Sequence, residues 1–382
     1  MDSKVLEQIG IISGISILII VLITSLLTVY IMHSIQQTEK YKAYNRLCNL
    51  EEDVQRDYME SYDKVFNDQS MISTLDDYTN KRKPARFVIK GKVVPSKYTA
   101  DCYSVLHDLC ALGDVKKMYI PKEIDSLKTL QQNQDLWEEE VSKTLNVRSG
   151  GKLLEIGCGC GRIAHHMSQL TQCQVYGINI DETQLKDARQ YAFKHKTNNQ
   201  FLFKDLNKPL PFQDNEFDAI YEFGAFTSFI KNYKKVFNEL FRVLKPGGIL
   251  YISDAVLLDN FDRSNPAHLE LLVNARQVMA GGVFLHYKYF EDFGKKAGFS
   301  LLSSKGGEFP DVAHDLPVLK KTHEHFNNIE NLIYILSKCN VIPSHFNALI
   351  KRLRKGGDDL ITMEDDMLLT TGWEYYFKKP ES

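Results

Sequence analysis

Residues 9 to 32 carry no charge, whereas later stretches of similar length mix apolar and polar positions. As a helix, this run from Ile9 to Met32 would reach roughly 36 Å, enough for the ~30 Å hydrocarbon core of a bilayer. It passes through Val29-Tyr30-Ile31-Met32 into polar sequence without a small-residue cleavage motif. An uncleaved anchor is therefore expected rather than a cleaved signal peptide or a buried helix. Lys4 precedes the run and Lys40, Lys42 and Arg46 follow it. The positive-inside bias then puts the body of the chain in the cytosol, as a single-pass membrane protein.

Residues 33 to 130 are polar and Tyr-rich, with no single period. Within them, Tyr41 to Asp63 reads as a charged helix, and Lys81-Arg82-Lys83-Pro84-Ala85-Arg86 as a loop near anionic lipid or a solvated linker. From Ser126 to Leu145 the pattern is helical, with Leu127, Leu130, Leu136, Val141 and Leu145 on a broad stripe, until Arg148-Ser149-Gly150-Gly151 breaks it. Strand-like and helix-like segments then alternate. Strands are predicted at 152–156, 174–178, 201–203, 217–223 and 249–252, helices at 163–170, 183–195, 236–244 and 289–297, and a further strand at 299–302. This alternation predicts an α/β fold, a Rossmann-like doubly wound and mostly parallel sheet covered on both faces. The tail holds helical segments at 329–337 and 346–353 and a strand-like 373–377, which suggests a C-terminal α+β cap. The expected organisation is a tail (1–8), a transmembrane helix (9–32), a membrane-proximal region (33–130), a catalytic domain (131–305) and a substrate-cap region (306–382).

Composition adds exclusions. With 47 Lys and Arg against 49 Asp and Glu, the net charge of −2 gives no global basic field for nucleic acid. The Lys351-Arg352-Leu353-Arg354-Lys355 run reads as a solvated helix face or end. Seven scattered cysteines fit neither a disulfide framework nor a Cys-x-x-Cys zinc site, so a reducing compartment is the natural reading. His323-Glu324-His325 lacks a patterned third ligand, and no metal is expected.

The strongest chemical signal is Leu153-Leu154-Glu155-Ile156-Gly157-Cys158-Gly159-Cys160-Gly161, a strand running into three alternate glycines and then a helix. Glycines let the backbone turn sharply and approach a ligand, and the helix that follows presents free N–H groups at the same point. A dinucleotide site is the rival, but its spacing is Gly-x-Gly-x-x-Gly. An acid at Glu155 suits a ligand bearing an ammonium and a sulfonium. Asn179, ending the second strand, is placed to bond ribose hydroxyls. Asp205, after the third, is placed to accept from an adenine amino group, or to cap a loop or helix. Phe217-Asp218-Ala219-Ile220-Tyr221 and Arg242-Val243-Leu244-Lys245-Pro246-Gly247-Gly248 complete the order of segments.

Over roughly residues 130 to 305 the chain resembles class I S-adenosylmethionine-dependent methyltransferases, and within that class the sterol methyltransferase family. The resemblance rests on Gly157 to Gly161, on Gly177-Ile178-Asn179 where most relatives carry an acid, on Asn265-Pro266-Ala267-His268, and on the tail ending Trp373-Glu374-Tyr375-Tyr376-Phe377-Lys378-Lys379-Pro380. It implies S-adenosyl-L-methionine as cofactor, held by Glu155, Gly157, Cys158, Gly159, Gly161, Asn179 and Asp205. It also implies a sterol or other lipid as methyl acceptor, which with the anchor suggests the endoplasmic reticulum. The family carries Ile-Glu-Ala and a Cys-His pair after the fourth strand. Here the segment reads Phe223-Gly224-Ala225-Phe226-Thr227-Ser228, and Gly224 stands where the acid would be. Glu222, two residues earlier on the same strand face, is the candidate catalytic substitute, with a surface acid as the competing reading. An alkene acceptor would need aromatic faces, for which Phe223, Phe226, Phe229, Phe284, Tyr287, Tyr289 and Phe290 are candidates. A hydroxyl acceptor would need a base, with His268 and His286 nearest. O- or N-methylation of another lipid or small molecule, or a non-catalytic cofactor-binding role, are the competing functions.

Overall fold

The computed structural model describes residues 38–55, 58, 88–89, 92–93, 96–112, 115–227, 230, 232–279, 284–306 and 316–381. The chain divides into two units, 1–49 and 50–382. In the first, α1 (Glu39–Cys48) is capped by Thr38, whose hydroxyl accepts from the Tyr41 N–H at 3.2 Å. The expected anchor, Ile9 to Met32, lies outside the described residues. The expectation of a single-pass membrane protein is corrected here: among the described residues, no helix is long and apolar enough to cross a membrane.

The second unit is built on a seven-stranded sheet. Its helices and strands run in the order α2 (Ser96–Leu112), α3 (Leu130–Leu145), β1 (Lys152–Ile156), α4 (Arg162–Thr171), β2 (Gln174–Asn179), α5 (Glu182–Lys194), β3 (Gln200–Phe203), β4 (Phe217–Phe223), α6 (Tyr233–Val243) and β5 (Leu244–Leu257). Then come α7 (Pro266–Met279), α8 (Tyr287–Ala297), β6 (Ser300–Lys305), α9 (Leu316–Lys338), α10 (His345–Asp365) and β7 (Leu369–Lys378). The sheet order is β3-β2-β1-β4-β5-β7-β6. The first five strands pair in parallel, while β7 runs antiparallel between β5 and β6. The doubly wound, mostly parallel expectation therefore holds for β1 to β5. The C-terminal strand was expected in a cap. Instead it fills the gap between β5 and β6, where Tyr375, Tyr376 and Phe377 can be buried between neighbours.

Two apolar faces explain the two helical layers. Val141 and Leu145 of α3, Met167 of α4 and Leu185 and Ala188 of α5 pack with Leu153, Val175, Tyr221 and Tyr251 on one face. On the other, Phe237 of α6 and Phe290 of α8 pack against Phe226, Tyr375 and Phe377. A third cluster joins α7, α9 and α10 to the far half of β5 and the start of β7 through Leu272, Leu319, Leu360, Leu257 and Leu369. Helix α10 runs straight through Gly356-Gly357. A Cβ on Gly357 would lie 2.3 Å from the His323 ring, and one on Gly356 2.7 Å from Val278. These glycines mark close helix crossings rather than a helix end.

Helix α3 also departs from its predicted stripe. It starts at Leu130, capped by Thr129 and Gln132, while Leu127 sits in the preceding turn at 94% exposure. Its buried face is Asn133, Gln134, Trp137, Glu138, Val141 and Leu145, half of it polar.

Candidate cofactor and acceptor site

The glycine loop leaves the C-terminal end of β1 with Gly157, Gly159 and Gly161 all at positive φ (70°, 49° and 71°). The three do different things. A Cβ at Gly157 would lie 2.5 Å from that of Ala225, and one at Gly161 would meet Phe201 at 2.8 Å and Ala188 at 3.0 Å. These two glycines let the loop pack against the β4 turn and helix α5. At Gly159 the nearest atom is Gln184 Oε1 at 3.8 Å, so this glycine borders open space. The Gly157 and Cys158 N–H groups both donate to the Ile178 carbonyl, at 2.9 and 3.1 Å, which ties the loop to β2. Cys158 turns its side chain down against Gly177 and is buried in the core. Its thiol, pushed up by burial, has no face toward that open space.

Glu155 lies in register with Gly177 of β2 and Tyr221 of β4, on the α3 side of the sheet. The Tyr221 hydroxyl donates to it at 3.3 Å. Burial, reinforced by the Glu138 carboxylate, holds its carboxyl well above the usual range, against the opposing pull of Tyr221 and Lys117. Asn179 ends β2 with its amide oriented from both sides: its Nδ2 donates to Gln184 Oε1 at 2.8 Å and its Oδ1 accepts the Ile180 N–H at 2.8 Å. Glu155, Gly159 and Asn179 thus meet at the strand ends, where a doubly wound sheet binds its ligand. Gln184 joins them through its bond to Asn179, with its Oε1 3.8 Å from where a Cβ on Gly159 would stand. Asp205 follows β3 and holds a turn, accepting from the backbone and the side chain of Asn207 at 2.9 Å each.

Above this edge lies a buried ionic network that the hydropathy pattern did not reveal. Lys117 Nζ donates to Glu138 at 2.6 and 2.8 Å and to Asp135 at 2.7 Å. The Tyr119 hydroxyl donates to Glu138 at 2.6 Å, and His166 Nδ1 lies 2.6 Å from the same carboxylate. The amides of α3 fix the strap that carries Lys117. Gln134 donates to the Lys117 and Tyr119 carbonyls, and Asn133 accepts from the Ile124 and Asp125 N–H groups. The Tyr119 ring stacks on Phe223 with centroids 4.9 Å apart, and Trp137 meets Phe223 edge-on at 5.8 Å. The one sequence clue was Trp137-Glu138 followed by Val141, an acid inside an apolar helical repeat.

Glu222 sits elsewhere. It pairs in register with Ile156 and Ile252, on the face opposite Glu155, and is fully buried. Its Oε2 accepts the Ala225 N–H at 2.7 Å, closing the turn that Gly224 makes at φ 72°. Burial and the neighbouring Asp254 push its carboxyl well up. Asp254 accepts from the Phe226, Thr227 and Ala255 N–H groups and the Thr227 hydroxyl, and is itself raised to about 6 by burial. Glu222, the candidate catalytic acid, thus closes the β4 turn from the sheet face opposite Glu155.

The other candidates separate in the same way. Of the aromatic residues, Phe223 borders the glycine-loop side. Phe226 and Phe290 stack in the opposite core, Phe284 is buried below Arg276, Tyr287 stacks on Trp373, and Phe229 lies outside the described residues. His286 caps α8 and its Nε2 lies 3.0 Å from Asp259, with burial lowering its basicity. His268 Nδ1 accepts the Asp262 N–H at 3.0 Å. His323 pairs with Asp358 at 2.8 Å.

Comparison with known proteins follows the same lines. Residues 147–297 match the family model of a methyltransferase domain. The chain is 33% identical over 141 residues to a sterol 24-C-methyltransferase of Gibberella zeae, covering 37% of each chain. It is 33% identical over 261 residues to sterol methyltransferase-like 2 of Botryococcus braunii, covering 65% of each. Among the first matches the aligned part spans from 36% to 69% of the relatives' own length. In three dimensions it is similar to the cyclopropane synthase MmaA2 of Mycobacterium tuberculosis, with a TM-score of 0.57 and 16% identity over 69% of this chain and 89% of that one. At that identity the likeness speaks for the fold. Glycine loop, strand order and family match agree: residues 147–297 are a class I S-adenosylmethionine-dependent methyltransferase domain resembling those of the sterol methyltransferases.

Proposed function

We propose that the chain transfers a methyl group from S-adenosyl-L-methionine to a carbon of a sterol or related isoprenoid lipid. The observation that carries the cofactor half is the division of labour among the glycines. Gly157 and Gly161 are filled by neighbours, while Gly159 borders open space on the side of the Asn179–Gln184 pair. The cofactor supplies an electrophilic methyl on a sulfonium. Glu155 is placed for its ammonium end, Asn179 and Gln184 for the ribose, and Asp205 for the adenine edge. The backbone at Gly159 offers close approach with no Cβ in the way.

Support for a carbon acceptor comes from two sides. The relatives that match over the longest stretches are named sterol methyltransferases. The two histidines nearest a base role are committed to structural bonds, and transfer to an alkene needs no base in the methyl-transfer step itself. Bound at the glycine loop, the cofactor would supply the methyl and leave as the neutral thioether, and the acceptor would carry positive charge until it loses a proton. The rings of Tyr119 and Phe223, beside Glu155, offer π faces to that charge. The protein's main contribution is to hold donor and acceptor in line and exclude water.

The test is incubation of the purified protein with methyl-labelled S-adenosylmethionine and a panel of sterols and other lipids. Label in a sterol fraction that resists acid and base hydrolysis is the expected result. Label in another acceptor overturns the sterol assignment. Cofactor binding with no label in any acceptor contradicts transfer itself.

A further inference from the structure

Cys160, between Gly159 and Gly161, turns its side chain away from the core position of Cys158. Its Sγ lies 3.7 Å from Nε2 and 3.9 Å from Nδ1 of His107, which reaches over from α2. Asp187 of α5 completes the group: one ligand atom from each of the three residues lies within 4.8 Å of the others, and all three are half-buried. We propose that His107, Cys160 and Asp187 form a binding site for a divalent transition metal of the zinc class, joining the glycine loop to two helices.

Three arguments support it. A thiolate, an imidazole and a carboxylate are the donor set that zinc takes, and three protein ligands leave a fourth position for water. The distances also fit. With Zn–S of ~2.3 Å and Zn–N of ~2.0 Å, a tetrahedral centre places sulfur and nitrogen ~3.5 Å apart, and the observed 3.7 Å needs only a small shift and a turn of the imidazole ring. A thiol–imidazole hydrogen bond would also bring the two groups together, but it gives Asp187 no reason to converge on them. Lastly, the surroundings favour a cation. Asp181, the N-cap of α5, is buried with one carboxylate oxygen lacking a hydrogen-bond partner, and it interacts electrostatically with His107. The other mixed cluster among the described residues, Asp135–Glu138–His166, already holds the Lys117 ammonium and is not comparable.

Binding of the ion would displace the Cys160 thiol proton to solvent, leaving a metal-bound thiolate, neutral His107 and an ionised Asp187. Asp187 lies three residues beyond Gln184, so it shares a face of α5 with the residue beside Gly159. The ion would therefore pin the glycine loop from outside while the open space at Gly159 stays clear.

Cobalt(II) serves as the probe, because a thiolate ligand gives it an intense charge-transfer absorption. The whole chain, stripped with chelator, is titrated with Co2+. The expected result is a thiolate–cobalt band that saturates at one equivalent and bleaches on adding Zn2+. Cys160→Ser abolishes the band, while His107→Ala and Asp187→Asn each weaken Co2+ binding by about tenfold or more, with unchanged circular dichroism. No band in the wild-type chain overturns the proposal. So does a band that persists unchanged in both His107→Ala and Asp187→Asn, since the metal would then sit on another cysteine. The readout does not depend on methyl transfer, so the site stands or falls separately from the proposed activity.

Discussion

The two faces of the central sheet bury carboxylates in opposite ways. On the α3 face, Glu138 is surrounded by Lys117, Tyr119 and His166, and Glu155 lies beside that network at the glycine loop. On the α6 face, among the described residues, Glu222 and Asp254 are held by backbone N–H groups and one hydroxyl rather than by a cation. A carboxylate paired with an ammonium keeps its charge in the interior, and one held mainly by neutral donors beside a second acid tends toward the protonated form. The first face sets a cation network beside Glu155. Burial raises the Glu155 carboxyl as it raises that of Glu222, and a bound ammonium would draw Glu155 back toward its charged form. The second is a scaffold for the turn after β4.

Removing one member of the ion network is expected to have the largest effect. Glu138→Ala leaves Lys117 buried without its main counter-charge and should cost about 3–5 kcal/mol in chemical denaturation. A loss below about 1 kcal/mol would mean that the strap carrying Lys117 is not fixed by this pair.

The second face should show itself through pH. Asp254 in the folded chain titrates at about 6, against 3.8 for an ordinary aspartate. A raised carboxyl favours the fold fully below its unfolded value, and that contribution is lost as pH rises through the folded value. Between about pH 4 and pH 6 the chain should thus lose about 3 kcal/mol from this group. Asp254→Asn is less stable at low pH, where it lacks the native turn bonds, but the gap to wild type should narrow across that window. A gap independent of pH in thermal melts would show that Asp254 is already ionised.

Glu155 and Glu222 then give a direct contrast. Glu155→Ala should weaken S-adenosylhomocysteine binding by about 10–100-fold, the range of a lost hydrogen bond to a charged group. Glu222→Ala should leave that affinity within about twofold while lowering stability by about 1–3 kcal/mol. Reversed outcomes in calorimetric titration and denaturation would exchange the roles given to the two faces. The smallest effect expected is from Tyr119→Phe, which removes one hydroxyl bond to Glu138 and should cost about 1 kcal/mol.

Strands β1 and β4 could be read from the chain to the residue, because each is an apolar run bounded by turn signals. The glycine loop was legible because positive φ at three alternate positions requires glycine. Helix α3 was legible only as a helix. Its inward face carries Asn133, Gln134 and Glu138, and polar residues become buried when a partner such as Lys117, remote in sequence, satisfies them. Hydropathy carries no information about that partner. Gly356-Gly357 carries a related ambiguity, since a glycine pair that can end an isolated helix also permits the closest helix crossing. The last strand was assigned to a cap because its insertion between β5 and β6 is a non-local pairing with no local signature. Glu222 was placed on a strand correctly, and only the tertiary arrangement shows that its face looks away from the glycine loop.

The open space at Gly159 is the feature on which cofactor binding depends most, and one titration tests it directly. S-adenosylhomocysteine is titrated into the wild-type chain and into Gly159→Arg, with circular dichroism confirming that both are folded. A left-handed residue other than glycine costs only about 1–2 kcal/mol, so the variant is expected to remain folded. The account predicts saturable binding to the wild type and a loss of at least about 100-fold in the variant, whose side chain fills the cofactor's place. Equal affinity in the two proteins would put the ligand elsewhere and contradict the site.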